Sequence, residues 1–341
     1  MMEKGFREGD FIETRLGLIF DVKGLIHPSN KVIAFIRYYP DKAGERRGKS
    51  RHFKKVYSLH KRYEWLKKNF PEYLVYDPVF DEVLCEVPIN HVKKRYTPTR
   101  VIQRLRKAEN LDSLENAVLE MASLLKFSAR IPWKAIGASG SVMVGLHTHG
   151  SDIDLVIYGS ENCWKVYSTI KSLFEEPSSL LKPYSLDELR KLFEFRSRDT
   201  IMSFKDFVTV ESRKSFQGKF MDRNFFIRFV KDFSEIGEKY GDVRYKNCGY
   251  ARVEAVVVDD AEAIFTPCKY KIGDVKVVEG PKLEPIREIV SFRGRFCEQA
   301  RKGETVVAQG KLEHVTDNRS GCEYFRLLLG NRPTDCMILK H

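Results

Sequence analysis

The chain has 341 residues, of which 43% are hydrophobic and 12% aromatic, and its formal net charge at pH 7 is +12. These fractions are those of a folded protein with room for two or three domains. The N-terminal residues lack the pattern of a signal peptide, and no run of eighteen apolar residues predicts a membrane span. Seven scattered cysteines without a Cys-x-x-Cys pair favour reduced thiols, and hence a cytoplasmic protein, over a disulfide framework or a zinc site.

The positive charge is concentrated in two segments. Residues 42–68 contain eleven Lys or Arg against Glu45 and Glu64, and the second cluster, residues 93–107, lies in a stretch without any acid. Interleaved aromatic residues favour nucleic acid, RNA in particular, because bases stack on such side chains. The alternatives are a solvated basic surface and a small aromatic core.

The N-terminal third, residues 1–95, has the pattern of a β-containing accessory domain. Short β-branched and aromatic runs predict strands at Phe11 to Thr14, Leu18 to Val22, Lys31 to Tyr39 and Val83 to Val87. A helix is expected around Leu59 to Asn69, where Phe70-Pro71 ends it. The charged stretch from Asp41 to Ser50, which contains two glycines, is expected to be an exposed loop.

The central region, residues 96–265, begins with two predicted helices. Thr97-Pro98 reads as an N-cap followed by a first-turn proline, and Asp112-Ser113-Leu114-Glu115 resembles a capping box. The remaining predicted elements are a strand around Trp133 to Gly137, helices at Asn162 to Phe174, Ser185 to about Phe195 and Ser203 to about Ser212, and strands at Phe225 to Val230 and Arg252 to Val258.

The C-terminal region, residues 266–341, is rich in strand and turn patterns. Candidate strands are Tyr270 to Val278, Glu288 to Arg293, Thr305 to Val315, Tyr324 to Leu329 and Cys336 to Leu339. Five short strands suit a small barrel of the oligonucleotide-binding type, and an extension of the neighbouring sheet fits the pattern equally well.

The most informative stretch lies in the central region, where a Gly140-Ser141 turn precedes Asp152 by eleven residues and Asp154 follows two residues later. Alternate residues of a strand point to one face, so the two carboxylates are expected to lie side by side. They repel each other unless a cation or proton lies between them. Such a pair suits Mg²⁺, which takes one or two carboxylates plus substrate phosphates. The turn offers backbone N–H groups to a phosphate at a predicted helix start.

This pattern resembles that of the DNA polymerase beta-like nucleotidyltransferase superfamily, with Ser139 departing from the apolar residue usual before the glycine. The resemblance implies an α+β fold in which a catalytic domain with a mixed sheet carries β-rich N- and C-terminal accessory regions. It implies two Mg²⁺ ions on Asp152 and Asp154, and the nucleotide phosphates at Gly140 and Ser141.

Two further stretches resemble a narrower group, the archaeal predicted nucleotidyltransferases. They are Phe265-Thr266-Pro267-Cys268 and the segment from Arg293 to Glu298. This closer resemblance implies the reaction class and no particular substrate.

The superfamily usually adds a third carboxylate from a neighbouring strand, and Glu254 is the best candidate. An acid in the middle of an apolar strand is costly unless it is paired or metal-bound. A salt bridge on an edge strand is the alternative for Glu254, and Asp222 and Asp232 are its rivals.

Two other sets of charged or titratable residues lie close to the motif in the sequence. Arg228, on the predicted strand Phe225 to Val230, is expected to bind the triphosphate or to pair with an acid. His147 and His149 lie in the loop before the aspartates, and they either contact nucleotide or nucleic acid or are solvated loop residues.

Together these features predict a metal-dependent nucleotidyltransferase that moves a nucleoside monophosphate from a nucleoside triphosphate such as ATP to a hydroxyl acceptor, with RNA favoured. Its proposed catalytic and metal-binding residues are Asp152, Asp154 and Glu254. The alternatives are nucleotidylation of a protein or small molecule, and a catalytically inactive nucleic-acid-binding protein of the same fold.

Overall fold

A computed structural model describes residues 5–48, 50–197 and 201–340. The fold is α+β, as expected, and the described residues form seven α-helices and three sheets. Two compact units are present. The first is formed by the described residues of Met1–Val75, Leu84–Pro183 and Ser215–Gly237, and the second by those of Tyr76–Val83, Tyr184–Lys214 and Glu238–His341. The units interleave along the chain, whereas the sequence pattern predicted the consecutive regions 1–95, 96–265 and 266–341.

The N-terminal sheet belongs mainly to the first unit and is built from eight described strands. They are β1 (Phe11–Thr14), β2 (Ile19–Val22), β3 (Lys31–Pro40), β4 (Arg46–Arg47), β5 (His52–Lys55), β6 (Leu74–Asp77), β7 (Glu82–Pro88) and β8 (Val92–Tyr96). Their order is β4-β5-β3-β2-β1-β8, while β7 pairs with β3 and with β6. Helix α1 (Leu59–Asn69) buries Leu66 in the core of this sheet, beside Phe20, Ile36 and Tyr73. Burial of these apolar side chains stabilises the sheet.

The second sheet of the first unit carries the motif formed by Gly140, Ser141, Asp152 and Asp154. Its elements are α2 (Pro98–Leu105), α3 (Ser113–Ser128), β9 (Ile136–Ala138), α4 (Gly140–Val144), β10 (Ile153–Tyr158), α5 (Ser160–Glu175), β11 (Leu181–Lys182), β12 (Gln217–Phe220) and β13 (Arg223–Val230). The order is β11-β12-β13-β10-β9. Strands β10 and β13 are parallel and the other pairs are antiparallel, so the sheet is mixed, as expected.

The second unit contains a closed barrel. Its elements are α6 (Leu186–Arg196), α7 (Phe204–Glu211), β14 (Val243–Glu262), β15 (Cys268–Glu279), β16 (Ile286–Ser291), β17 (Thr305–Asp317), β18 (Cys322–Leu329) and β19 (Cys336–Leu339). Strands follow the order β14-β15-β16-β18-β17, and β17 pairs back to β14. Only the pair β16–β18 is parallel among these. Of the two interpretations of the C-terminal strands, the pairing is that of a barrel, but its membership differs from the prediction. The ring includes β14, which the sequence pattern assigned to the central region, and β19 pairs with β17 outside the ring.

Three local predictions differ from the structure. The segment predicted as a loop contains β4, which pairs with β5, although Lys49 lies outside the described residues. The predicted strand from Trp133 begins instead with a 3₁₀ turn, and β9 starts only at Ile136. Thr97 is the N-cap residue of α2, but its side chain forms no capping hydrogen bond there.

The capping box predicted at Asp112 is confirmed at the start of α3. Of the helices in the described residues, none has both the length and the apolar content needed to cross a membrane.

Candidate active site

Asp152 and Asp154 stand at the N-terminal end of β10. Asp152 immediately precedes the strand and is exposed, whereas Asp154 is its second residue and is half-buried. Burial and the negative charge of Asp152 raise the pKa of Asp154 to about 6, against the lowering effect of Arg37 and Lys55. The pair therefore carries a repulsion that a bound cation would relieve.

Gly140 packs directly against the side chain of Asp154. Its φ is +64°, and a Cβ atom added to it would lie 2.9 Å from Cγ of Asp154 and closer still to Oδ2. The backbone N–H of Ser139 donates to the carbonyl of Asp154 at 2.8 Å, which joins the turn to β10. Both the backbone angle and the lack of space require glycine at position 140.

The short helix α4 begins at this turn and ends at Gly145, whose φ is +68°. Ser141 is buried in its first turn, and the first N–H groups of a helix have no partner within the helix. Ser139 is the N-cap residue, but its hydroxyl donates to the carbonyl of Gly9 at 2.8 Å. This bond gives a physical reason for a serine at position 139.

Strand β13, which lies beside β10, carries the amide of Asn224 near the aspartates, and not the expected third carboxylate. Phe226 on β13 is the register partner of Asp154. Two residues earlier, the Asn224 side chain donates from Nδ2 to Oδ1 of Asp152 at 3.2 Å. Within the described ranges, no group of three or more His, Cys, Asp or Glu side chains is arranged to hold a metal. The neighbouring strand therefore contributes a neutral hydrogen-bond donor to the aspartate pair.

Glu254 belongs to β14 in the barrel, and not to the sheet of the two aspartates. Lys340 donates from Nζ to its Oε1 at 2.6 Å, and this hydrogen bond lowers the pKa of Glu254. The structure thus gives Glu254 the salt bridge that was the alternative to metal binding.

The two rival acids lie at opposite ends of β13. Asp232 follows the strand, pairs with Arg7 at 3.1 Å and caps a 3₁₀ turn. Asp222 lies in the turn before the strand, near the end where Asn224 meets Asp152. Of the two, only Asp222 is at the end of β13 that adjoins the motif.

Arg228 is occupied by the N-terminal segment. It forms an ion pair with Glu8, whose side chain is fully buried. Glu8 also accepts from Nζ of Lys23 at 3.1 Å and from the backbone N–H of Gly24 at 2.7 Å. Of the two roles expected for Arg228, the structure provides the pairing with an acid.

Two cations of the N-terminal sheet act on the aspartates. The positive charges of Arg37 on β3 and Lys55 on β5 both lower the pKa of Asp154. Burial, together with Arg37 and Arg46, lowers the pKa of Lys55 to about 8, while Asp154 and Asp152 oppose that shift. In the described part of the chain neither Arg37 nor Lys55 forms an ion pair with either aspartate. The two cations therefore influence Asp154 through their charge and not through a salt bridge.

Arg46 fastens the β4–β5 hairpin to the motif loop. Its Nη1 donates to the carbonyl of Leu146 at 3.4 Å and to the hydroxyls of Thr148 and Ser151 at 3.2 Å each. In the sequence, Arg46 and Lys55 belong to a basic segment, and no local pattern indicates their relation to the aspartates. The pairing of β5 with β3 places Lys55 opposite Tyr38, the residue after Arg37, and the charges of both Arg37 and Lys55 act on Asp154.

Asp21 is a further carboxylate that sequence reasoning missed. It is buried on β2, its Oδ2 pairs with Lys23 at 2.9 Å, and its Oδ1 has no hydrogen-bond partner. Its negative charge contributes to the raised pKa of Asp154. An acid inside the short apolar run of β2 was the signal available in the sequence.

The two loop histidines are held differently, His147 through its side chain and the exposed His149 through its backbone carbonyl. His147 contacts the carboxylate of Asp112, the N-cap residue of α3, at 2.6 Å. The carbonyl of His149 accepts from Nη1 of Arg223 at 2.6 Å, and the same guanidinium bonds Ser113. These contacts hold the loop before Asp152 to the start of α3.

These features define an α+β protein with an aspartate pair set against a glycine turn and cations opposite the pair. The uncharacterized protein MJ1086 of Methanocaldococcus jannaschii is 36% identical to it over 330 residues, which cover 94% of each chain. The chain belongs to the same family as this archaeal protein. No family model and no solved structure matches the chain.

Proposed function

We propose that this protein is a metal-dependent nucleotidyltransferase that transfers a nucleoside monophosphate from a nucleoside triphosphate to a hydroxyl acceptor, with RNA favoured as the acceptor. The observation that carries the proposal is the contact between Gly140 and Asp154. It sets the backbone turn suited to phosphate directly beside a carboxylate suited to a metal ion.

The donor set suits Mg²⁺. Asp152 and Asp154 offer carboxylate oxygens on one face, and Mg²⁺ commonly takes one or two carboxylates while water and substrate phosphates complete its coordination. The raised pKa of Asp154 is the electrostatic cost that a divalent cation would remove. When bound, two Mg²⁺ ions would neutralise charge at the attacking and leaving oxygens.

The residues of the chain then have separate tasks. Backbone N–H groups at Gly140 and Ser141 would bind phosphate oxygens of the nucleotide, and Arg37 and Lys55 would neutralise its charge. The acceptor hydroxyl oxygen attacks the α-phosphorus and forms the new ester bond. The bond from the α-phosphorus to the bridging oxygen breaks, pyrophosphate leaves, and the hydroxyl proton passes to water. Glu254 and Arg228 have no part in this proposal because Lys340 and Glu8 occupy them.

A second candidate function is favoured by Asn224 and Phe226. Both lie on the strand beside β10, where the superfamily usually places its third carboxylate, and neither is an acid. A site with two carboxylates binds metal less strongly than one with three, which favours a nucleic-acid-binding protein that has lost the transfer reaction.

The experiment uses the full chain with α-labelled nucleoside triphosphates, Mg²⁺ and total RNA. The wild type should move label to RNA and release pyrophosphate, and Asp154→Asn should abolish both. Glu175→Gln, at an exposed acid at the end of α5, is the matched control and should leave transfer unchanged.

The outcomes separate the candidates. Equal labelling of RNA by wild type and Asp154→Asn, or no labelling at all, would refute the proposal. Label on protein bands or on small molecules, without labelled RNA, would show that the acceptor is a protein or a small molecule and not RNA. RNA binding that persists without transfer under every nucleotide tested would support the second candidate.

A further inference from the structure

We infer that a basic and aromatic surface at the ends of α2 and α3 binds single-stranded RNA. We call it the α2–α3 patch, and it consists of Arg106, Lys107, Lys126, Phe127, Trp133 and Lys134. That this RNA is the acceptor rests on the proposed function, whereas the binding itself does not.

The aromatic part of the patch is exposed and carries cations. Phe127 is 67% exposed and meets Trp133 edge-on, with the ring centroids 6.5 Å apart. The guanidinium carbon of Arg106 lies 4.3 Å from the Trp133 ring centroid. Nζ of Lys126 lies 4.7 Å from the Phe127 centroid. An exposed ring framed by cations is the combination on which unpaired bases stack.

The cations of the patch are not neutralised. In the described ranges, Arg106, Lys107, Lys126 and Lys134 form no ion pair with an acid. Other basic residues of the same sequence segment are neutralised, since Arg95 pairs with Asp10 and Arg104 with Glu115. The structure thus divides the basic segment at residues 93–107 into paired residues and a remaining charged surface that suits phosphates.

The 3₁₀ turn of the patch, Trp133–Ala135, leads into β9, which pairs with β10 of the aspartate sheet. Ile136 pairs with Ile157, whereas Ala138 pairs with Leu155 near Asp154. Trp133 precedes Gly140 by seven residues, so the chain between them spans at most about 25 Å. The patch would therefore bind internal nucleotides of an RNA strand, at a distance from the nucleotide that carries the reacting hydroxyl.

The test measures binding of a fluorescent single-stranded RNA oligonucleotide by anisotropy over a series of NaCl concentrations. All proteins carry Asp154→Asn and no nucleotide is added, so the result does not depend on catalysis. Removing two cations with Arg106→Gln/Lys107→Gln should reduce the salt slope of log K by about 1.4. Phe127→Ala should weaken binding by about fivefold or more. The matched control Lys165→Gln/Lys171→Gln on α5 should change neither quantity.

Three results would overturn the inference. The patch variants could bind RNA like the parent protein, or the control could lose as much affinity as the patch variant, which would indicate dependence on net charge alone. In the third result, the patch variants would bind RNA like the parent protein but would no longer bind vesicles containing phosphatidylserine, which would assign the patch to a lipid surface. If the patch variants lose RNA binding while the wild type transfers no label, the proposed reaction fails and the RNA surface stands.

Discussion

The backbone of Gly140 and the carboxylate of Asp154 are in direct contact, so any side chain at position 140 would occupy the space of the carboxylate. A second glycine, Gly145, has nearly the same φ, and an added Cβ there would have no neighbouring atom within 4 Å. A comparison of alanine substitutions at positions 140 and 145 therefore separates two effects. Both substitutions strain the backbone angle, whereas only the one at position 140 displaces Asp154.

Gly140→Ala should reduce nucleotidyl transfer about 100-fold, because displacement of a catalytic group by about 1 Å costs that much. Gly145→Ala should leave transfer close to wild type. Both variants should lose about 1–2 kcal/mol in the free energy of unfolding from the left-handed backbone angle. Urea unfolding and initial transfer rates test the pair. Equal activity of the two variants would show that the contact with Asp154 has no catalytic role.

Lys55→Gln and Arg37→Gln should each raise KM for the nucleoside triphosphate, on the order of tenfold, because each removes a charge-assisted contact to phosphate. Lys54→Gln, at the exposed neighbouring position on β5, is the control and should leave KM unchanged.

The pKa of Lys55 predicts that kcat/KM depends on pH. The pKa of Lys55 is about 8, so the free enzyme loses this charge as the pH rises through that value. kcat/KM should therefore fall above about pH 8 in the wild type and not in Lys55→Gln. An unchanged profile in Lys55→Gln would exclude Lys55 as the titrating group.

Asn224→Asp should increase Mg²⁺ affinity, because it places a third carboxylate beside Asp152 where an amide now donates a hydrogen bond. We expect about tenfold tighter binding by calorimetry. Glu254→Gln should leave Mg²⁺ affinity and transfer unchanged, since Glu254 pairs with Lys340. Loss of metal binding in Glu254→Gln would restore Glu254 as the third ligand.

His27 should make the stability depend on pH. Its Nδ1 accepts from the backbone N–H of Ile33 at 3.2 Å, and its Nε2 bonds the carbonyl of Phe6 at 3.1 Å. Burial lowers the pKa of His27 to about 4, so between pH 6.5 and 4 the unfolded state binds more protons than the folded state. The contribution is present above pH 6.5 and is lost as the pH falls through that window.

In the wild type, His27 should lower the free energy of unfolding by about 2 kcal/mol between pH 6.5 and pH 4. In His27→Gln this decrease should be absent. Denaturant titrations at several pH values measure it. The exposed His60, as His60→Gln, is the control and should keep the wild-type slope. A steeper loss of stability in His27→Gln would contradict the neutral state of this side chain.

Local interactions explain what the sequence determined by itself. The bounds of α1, the capping box at Asp112 and most strands of the barrel follow from residue spacing and caps that involve only near neighbours. The aspartate pair and the glycine turn could likewise be predicted, because the turn, the short helix α4 and the start of β10 follow one another closely along the chain.

Pairings between distant residues decided the rest. The sequence could not show that β13, rather than the strand of Glu254, lies beside β10, nor that Glu8 occupies Arg228. It also could not show that the charges of Arg37 and Lys55 act on Asp154, since these cations and the aspartate belong to separate segments of the chain. The sequence alone thus determined a carboxylate pair beside a phosphate-suited turn. Only the tertiary structure decided which charges surround it, because electrostatic interactions depend on distance in space and not on separation along the chain.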